Sequence, residues 1–507
     1  VTAWPACPEF LKNRRGRRCA VVGGGRTGAA AAGLLVREGA SVVVCDDGAL
    51  DVVTAGLTKH GLDTSTVELR AGGMRADALV GFDLVVLSPG VPRAHVALQA
   101  ALAAGIPVVN ELELGLAVLT DNGAHLDGVC LLGITGTNGK STTTTMAGAI
   151  AKRRDPQAFV GGNLGLPLCA AILDGLVCGT AEAPRQLVVE LSSYQLETLQ
   201  WFPTTAAAVT NLAPDHLDRY PNVDAYWAAK ARLLSLVVDG GGVSLNAADD
   251  TSTRTFGALV RGTVVPCHFD VSAGGVGIEV NSASLLVRNS NGQTRSFALS
   301  NPLIVGHHNR QNAAAAVALS VLSGAGDDVI VAGLADYAGI AHRLERVGAA
   351  GGVTWWNDSK ATNVDAAVTA LRSFDNGVHL IAGGVGKGAP YAPLVDAGRA
   401  CVRAVYTIGA DAPAIEAAFA NVDSIVVIPC SDLATACTRA NDSAVAGEHI
   451  VLSPACASFD QFRDYNHRGV SFREQFKSLA SRQGLEHIDE FGRGAPESAR
   501  FSIRGNR

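Results

Sequence analysis

Short apolar runs recur along the chain, each ending at a glycine-rich or polar turn and followed by an alanine-rich stretch with helical spacing. Cys19-Ala-Val-Val22 leads into Gly23-Gly-Gly-Arg-Thr-Gly28 and a helix over 29–36, and a strand over 41–45 ends at Asp46 and Asp47. Leu84-Val-Val-Leu87 leads into Ser88-Pro-Gly90, a helix over 94–104 and a strand over 106–109. Val129-Cys-Leu-Leu132 leads into a second glycine turn and a small-residue helix over 143–151. Apolar runs of this length bounded by turns read as buried strands, and their alternation with helical patterns predicts parallel sheets made of βαβ units.

The alternation continues with strands over 186–190 and 206–210 and another closing at 245–249. The segment 161–165 reads as a polar turn between helical patterns, and 262–300 as an antiparallel patch. An alanine-rich helix over 313–322 precedes a last group: a helix over 364–371 and strands over 378–382, 404–408, 424–428 and 449–452. The expected fold class is α/β in three domains: a Rossmann-like N-terminal domain (1–112), a central P-loop α/β domain built on the second glycine turn (113–341) and a C-terminal Rossmann-like domain (342–485). The polar, Gly- and Pro-spotted segment 486–507 is expected to be disordered.

Composition narrows the function classes. With 507 residues, 48% hydrophobic and 17% charged, and a net charge of −6, the chain is a globular protein without a basic surplus for nucleic acid. Seven tyrosines and five tryptophans offer little stacking material for bases. The eleven cysteines include no Cys-x-x-Cys pair, which argues against a zinc knuckle or a disulfide framework. No run of 18 apolar residues suggests a membrane span, and cytoplasm is the expected compartment.

The densest chemistry lies in Gly133-Ile-Thr-Gly-Thr-Asn-Gly-Lys-Ser-Thr142. A glycine turn between strand and helix points backbone N–H groups at phosphates, and the helix N-terminus adds its dipole. Lys140 would reach the terminal phosphates and the Ser141 hydroxyl a magnesium ion. That predicts a nucleoside triphosphate site without separating kinase, ligase and motor. Glu190 ends an apolar strand, where a magnesium-binding or water-positioning acid belongs, and Asn211 ends the next. His216 sits among Asp215, Asp218 and Arg219, and Lys230 lies on the apolar side of a helix, where an ammonium is costly unless paired or chemically altered. The first glycine turn, with Asp46 about where a ribose-binding acid falls, has an NAD site as its obvious reading, though the geometry serves any pyrophosphate.

Taken in order, Gly136-Thr-Asn-Gly-Lys-Ser-Thr142, Glu190-Leu-Ser-Ser-Tyr-Gln195, Asp215-His-Leu-Asp-Arg-Tyr220, His307-His-Asn309, His342-Arg343, Asp358-Ser-Lys-Ala-Thr-Asn363 and Leu452-Ser-Pro-Ala-Cys-Ala-Ser458 resemble the ATP-dependent muramyl ligases of peptidoglycan synthesis. The resemblance covers about residues 18 to 480. The last motif and the dinucleotide-like first domain imply the member that adds D-glutamate to UDP-N-acetylmuramoyl-L-alanine.

The resemblance implies residue roles position by position. Gly136, Thr137, Asn138, Gly139, Lys140, Ser141 and Thr142 would cradle ATP, with Asn309 and Asn312 at the adenine and Arg343 and Asp358 at ribose and phosphate. Two Mg2+ ions are implied, one held by Ser141 and Glu190, the other by His216 and Lys230, the lysine as its carbamate, an oxygen donor that magnesium prefers. Arg26, Thr27, Asp46, Asp47, Ser88 and Gly90 would hold uridine and pyrophosphate, so that no NAD is needed; Asp47 stands where the family pattern has a hydroxyl residue. Asn163 would contact the muramyl-alanine part. Lys360, Thr362, Lys387, Ser458, Phe459 and Tyr465 would surround D-glutamate, with Tyr465 in place of the family's common phenylalanine. A monomer is the expected state. The rival readings are a sibling or folate-polyglutamate ligase, an NAD-dependent dehydrogenase and a non-catalytic regulator.

Overall fold

The computed structural model describes residues 4–121, 129–175, 185–213, 215–216, 219–246, 256, 263–268, 277–289, 291–304 and 306–482. Three sheets organise them. The first contains β1 (Arg18–Val22), β2 (Ser41–Asp46), β3 (Glu68–Ala71), β4 (Leu84–Leu87) and β5 (Val108–Asn110), all parallel, in the order β3-β2-β1-β4-β5. β1 shows why an unbroken apolar run forms such a strand: Cys19 and Val21 enter one core and Ala20 and Val22 another, so both faces are covered.

The second sheet contains β6 (Cys130–Thr135), β7 (Phe159–Gly162), β8 (Gln186–Glu190), β9 (Thr204–Val209), β10 (Val237–Asn246), β11 (Thr263–His268), β12 (Gly277–Val280), β13 (Ser284–Arg288) and β14 (Thr294–Ala298). Their order is β14-β13-β12-β11-β10-β9-β6-β8-β7. The third contains β15 (Glu345–Ala350), β16 (Val353–Asn357), β17 (Val378–Gly383), β18 (Val402–Ile408), β19 (Val426–Pro429) and β20 (His449–Leu452), in the order β15-β16-β20-β17-β18-β19.

Described residues of Val1–Leu299 and Gln311–Ala335 form one compact unit, and those of Ser300–Arg310 and Asp336–Arg507 another. Within the first unit, the helices Arg26–Arg37, Glu111–Asp121 and Leu168–Leu173 pack together and join the first two sheets through a shared core. The junction also buries two carboxyls. Glu111 accepts from the Cys169 N–H, and Glu113 accepts from the N–H groups of Asn110, Gln200 and Trp201. Burial pushes both up to about 7.

Three expectations change. Gly161 and Gly162 end the edge strand β7 and are not a turn between helices; Gly161 lies so close to the Leu166 carbonyl and the Phe159 ring that a Cβ would clash. The segment read as an antiparallel patch extends the sheet in parallel through β11 and β12, and only the β12–β13 and β13–β14 ladders are antiparallel. The helix expected from 313 begins at Gly306, so His307, His308 and Asn309 fall inside its first turn. Leu217, Asp218, the segment 247–249 and the tail 486–507 lie outside the described residues.

Candidate functional site

Each sheet presents a crevice where its strand order reverses, and loops leaving such strands are the usual ligand positions in open α/β sheets. In the second sheet that strand is β6, flanked by β8 and β9. It runs into Gly136 (φ 140°) and Gly139 (φ 80°), the residue before the helix Lys140–Arg154. Both glycines are required twice over, by backbone angle and by space: a Cβ would strike the Thr210 hydroxyl at the first and the Asn312 amide oxygen at the second. The loop is held from β9's end, where Asn211 accepts the Thr137 N–H through its carbonyl (3.0 Å) and the Asn138 N–H through its side chain (2.8 Å). The Thr210 hydroxyl donates to the Asn138 carbonyl.

Two lysine side chains meet at this loop. Lys140 Nζ donates to the carbonyls of Gly136 (2.9 Å) and Thr137 (2.7 Å), and Lys230 Nζ donates to the same Gly136 carbonyl at 2.7 Å. Lys230, 1% exposed on the helix Val223–Ser235, also lies 4.5 Å from the centre of the Tyr226 ring. Burial drives its amine well below the ordinary lysine range, and the Lys140 charge adds to the shift; Asp215 and Glu190 oppose it. The arrangement favours a neutral amine.

Glu190, at the end of β8 and 2% exposed, uses one oxygen to accept from the Asn163 side chain at 2.7 Å. Its other oxygen, Oε2, is buried without a partner. A carboxylate oxygen left so is costly unless a cation takes it. Among the described residues no three His, Cys, Asp or Glu side chains converge on a common point. Magnesium asks for less, since it commonly takes one or two protein oxygens and completes its shell with phosphate and water. The unpartnered Glu190 oxygen is a donor of the kind such an ion takes. His216 stands nearby at φ 54°, its Nδ1 2.8 Å from the Tyr194 hydroxyl.

The first crevice lies between β1 and β4. Gly28 packs so tightly on the Gly23 carbonyl that only glycine fits, which lets the helix Arg26–Arg37 start close against the strand end. Ser88 donates to that carbonyl at 3.2 Å. Asp46 spends both oxygens on the fold, accepting from the Gly24 N–H (2.6 Å) and the Gly48 N–H (2.8 Å). Asp47 accepts from the Met74 N–H and approaches His95 Nε2 at 3.1 Å. Arg26 and Gly90 are exposed and Thr27 is half-buried. Asn312, from the helix Gly306–Leu322, sits over Gly139 and accepts from Thr143.

In the second unit the chain after β16, β17 and β20 comes together. Asp358 accepts from the Leu344 N–H (3.0 Å) and the Ser453 hydroxyl (2.8 Å), and burial pushes it up to about 7 against the pull of Ser453, Leu344 and the Arg343 and Arg468 charges. Arg468, which the sequence did not single out, is fully buried and donates to carbonyls of Ser359, Gly383 and Cys456 and to the Ser359 hydroxyl. It ties together the segments carrying Lys360 and Thr362, Lys387, and Ser458. Lys360 Nζ lies 5.1 Å from the Tyr465 ring centre. Ser458 is buried, whereas Lys387 and Phe459 are exposed.

Family models match in the same order as the sheets: Mur ligase MurD-like, N-terminal domain over 17–110, Mur ligase middle domain over 134–320, and Mur ligase, glutamate ligase domain over 342–456. The chain is 43% identical over 470 residues to UDP-N-acetylmuramoylalanine--D-glutamate ligase of Myxococcus xanthus, covering 92% of this chain and 99% of that one. The chain belongs to the Mur ligase family. Another relative of the same name, from Anaeromyxobacter dehalogenans, is 42% identical over 92% of this chain and 98% of its own. Among solved structures, UDP-N-acetylmuramate-alanine ligase from Thermotoga maritima superposes with a TM-score of 0.55 at 19% identity over 91% of this chain and all of that one, which is a likeness of fold.

For a Mur ligase, the loop-bound lysine pair and the unpartnered Glu190 oxygen are the informative features. Tyr226 was legible in principle, because it stands four residues before Lys230 on one helix face. Tyr194 lies inside the motif Glu190-Leu-Ser-Ser-Tyr-Gln195 but had no role of its own there, and Arg468 carried no local signal.

Proposed function

We propose that this Mur ligase joins D-glutamate to UDP-N-acetylmuramoyl-L-alanine, consuming ATP and releasing ADP and phosphate. The observation that carries the reading is the convergence of Lys140 and the buried Lys230 on the Gly136 carbonyl, with the Glu190 charge acting on Lys230. The full-length similarity to ligases of that name selects the substrates.

A carboxylate must become electrophilic before an amine can attack it. Transfer of the γ-phosphoryl group to the alanyl carboxylate gives an acyl phosphate. The D-glutamate amine then adds to the carbonyl carbon, and phosphate leaves with one oxygen of the original carboxylate. The N–H groups at the start of the helix Lys140–Arg154 cradle the triphosphate, the Thr137 and Asn138 N–H groups being spent on Asn211, and Lys140 exchanges its carbonyl contacts for phosphate oxygens. Magnesium, when bound, neutralises phosphate charge. Ser141 and Glu190 would hold one ion, and His216 and Lys230 a second. A neutral Lys230 amine can add to CO2 and release a proton, which places an anionic oxygen donor beside the Lys140 charge.

Arg26, Thr27, Asp46, Asp47, Ser88 and Gly90 take the uridine diphosphate, with Asp46 shaping the turn, and Asn163 the muramyl-alanine part. Asn309 and Asn312 take adenine, and Arg343 and Asp358 ribose and phosphate. Lys360 and Lys387 match the two carboxylates of D-glutamate, with Thr362, Ser458, Phe459 and Tyr465 around them. A cytoplasmic monomer is part of this reading. Substrate carrying 18O in its alanyl carboxylate tests the intermediate: one label per turnover should appear in the released phosphate, and unlabelled phosphate would refute acyl phosphate formation.

A further inference from the structure

We propose that Arg219 is a positioning residue for the uridine diphosphate part of the substrate, holding the turn 88–91 of the first crevice against the segments that follow β8 and β9. The turn closes where the Val91 N–H donates to the Ser88 carbonyl at 3.1 Å, and Pro89, at its second position, presets the backbone for it. On one side the turn is tied to β1. The Ser88 N–H donates to the Val22 carbonyl (2.9 Å), and the Ser88 hydroxyl to that of Gly23 (3.2 Å). On the other side Arg219 donates to the carbonyls of Pro89 (Nη1, 3.2 Å) and Val91 (Nη2, 3.4 Å).

The guanidinium is itself fixed. Glu197 takes it as a fork, Nε to Oε1 at 3.2 Å and Nη2 to Oε2 at 2.8 Å, and both side chains of the pair are largely buried. The guanidinium carbon lies 3.9 Å from the centre of the Tyr194 ring, which adds a cation–π contact. Tyr194 belongs to the helix Ser193–Leu196, closed by a capping box between Ser192 and Gln195, and Glu197 directly follows it. Arg93 makes the return link from the first crevice, donating to the Glu197 carbonyl at 3.0 Å. The substrate carries uridine diphosphate at one end and the alanyl carboxylate at the other, so it has to span both crevices. A guanidinium that sets the turn against the chain after β8 and β9 fixes where the uridine end lands. Lysine is no substitute, because a point charge lacks the fork that reaches a carboxylate and two carbonyls together.

The uridine assignment rests on the ligase reading, but binding is measured without D-glutamate or turnover, so the two fail separately. The test is a calorimetric titration of the full chain with UDP, with ADP and magnesium present to fill the phosphate loop, beside a titration with ADP alone. Arg219→Lys should weaken UDP binding about tenfold, the scale of one lost charge-assisted hydrogen bond, and leave ADP binding unchanged. Glu197→Gln, which keeps the side chain's shape but loosens the guanidinium, should shift UDP affinity in the same direction, and it carries the test if Arg219→Lys does not fold. A wild type that binds no UDP, a folded Arg219→Lys with wild-type UDP affinity, or equal losses for UDP and ADP would overturn the proposal. Phosphate release that depends on D-glutamate, together with an unchanged UDP affinity, would remove Arg219 and leave the ligase reading standing. Weakened UDP binding in a chain that releases no phosphate with any amino acid would sustain the proposal and remove the ligase reading.

Discussion

Lys230→Met should lower turnover by about 10²–10³-fold, the scale on which removing one preorganised electrostatic group acts, while the protein becomes no less stable. The two effects have one cause. The folded protein holds this amine well below its ordinary range, so between the folded and unfolded pKa values the unfolded chain binds the extra proton and stability rises with pH. Below that window the wild type bears the full penalty of the buried amine. Methionine removes it, and Lys140 still donates to the Gly136 carbonyl. In CO2-free buffer the thermal midpoint of Lys230→Met should exceed that of the wild type at pH 7, and the gap should narrow toward the unfolded lysine's pKa, about 10.4. Lys230→Ala leaves room for a small carboxylate, and formate or acetate should restore part of its turnover. Full activity of either variant without additives would reject a catalytic place for Lys230.

Glu190→Gln should cost a similar factor in turnover and raise the magnesium concentration needed for half-maximal rate. The substitution keeps an oxygen to accept from Asn163 and preserves the side chain's shape, so the melting temperature should move little. What changes is the unpartnered oxygen, Oε2, which loses its charge. A magnesium titration of the initial rate separates the outcomes: an unchanged magnesium requirement would mean that Glu190 acts through its contact with Asn163 and not through a cation.

The fold was legible where burial and pattern agree. Strands Gln186–Glu190 and His449–Leu452 and the helix Val364–Leu371 stand within the bounds their apolar runs predict. β3, Glu-Leu-Arg-Ala, has no residue in the buried class and announces nothing by periodicity. β7 ends in two glycines, which by propensity argue for a turn. The phosphate loop was legible because its glycines, lysine and serine each answer a separate physical demand. The hydrogen bond between Tyr194 and His216 was not, since it depends on the positive φ of His216. Asp46 shows the opposite case: its spacing suggested a ligand carboxylate, and both of its oxygens are spent on backbone N–H groups, that of Gly24 in the glycine turn after β1 and that of Gly48 in its own turn.

The most direct measurement is phosphate release from ATP by the purified protein with magnesium and UDP-N-acetylmuramoyl-L-alanine, comparing D-glutamate with L-glutamate, L-alanine and no amino acid. Release that requires both the nucleotide substrate and D-glutamate, with a product heavier by one glutamyl residue, is the predicted result. Release with a different amino acid in place of D-glutamate, or none under any pairing, would contradict the account.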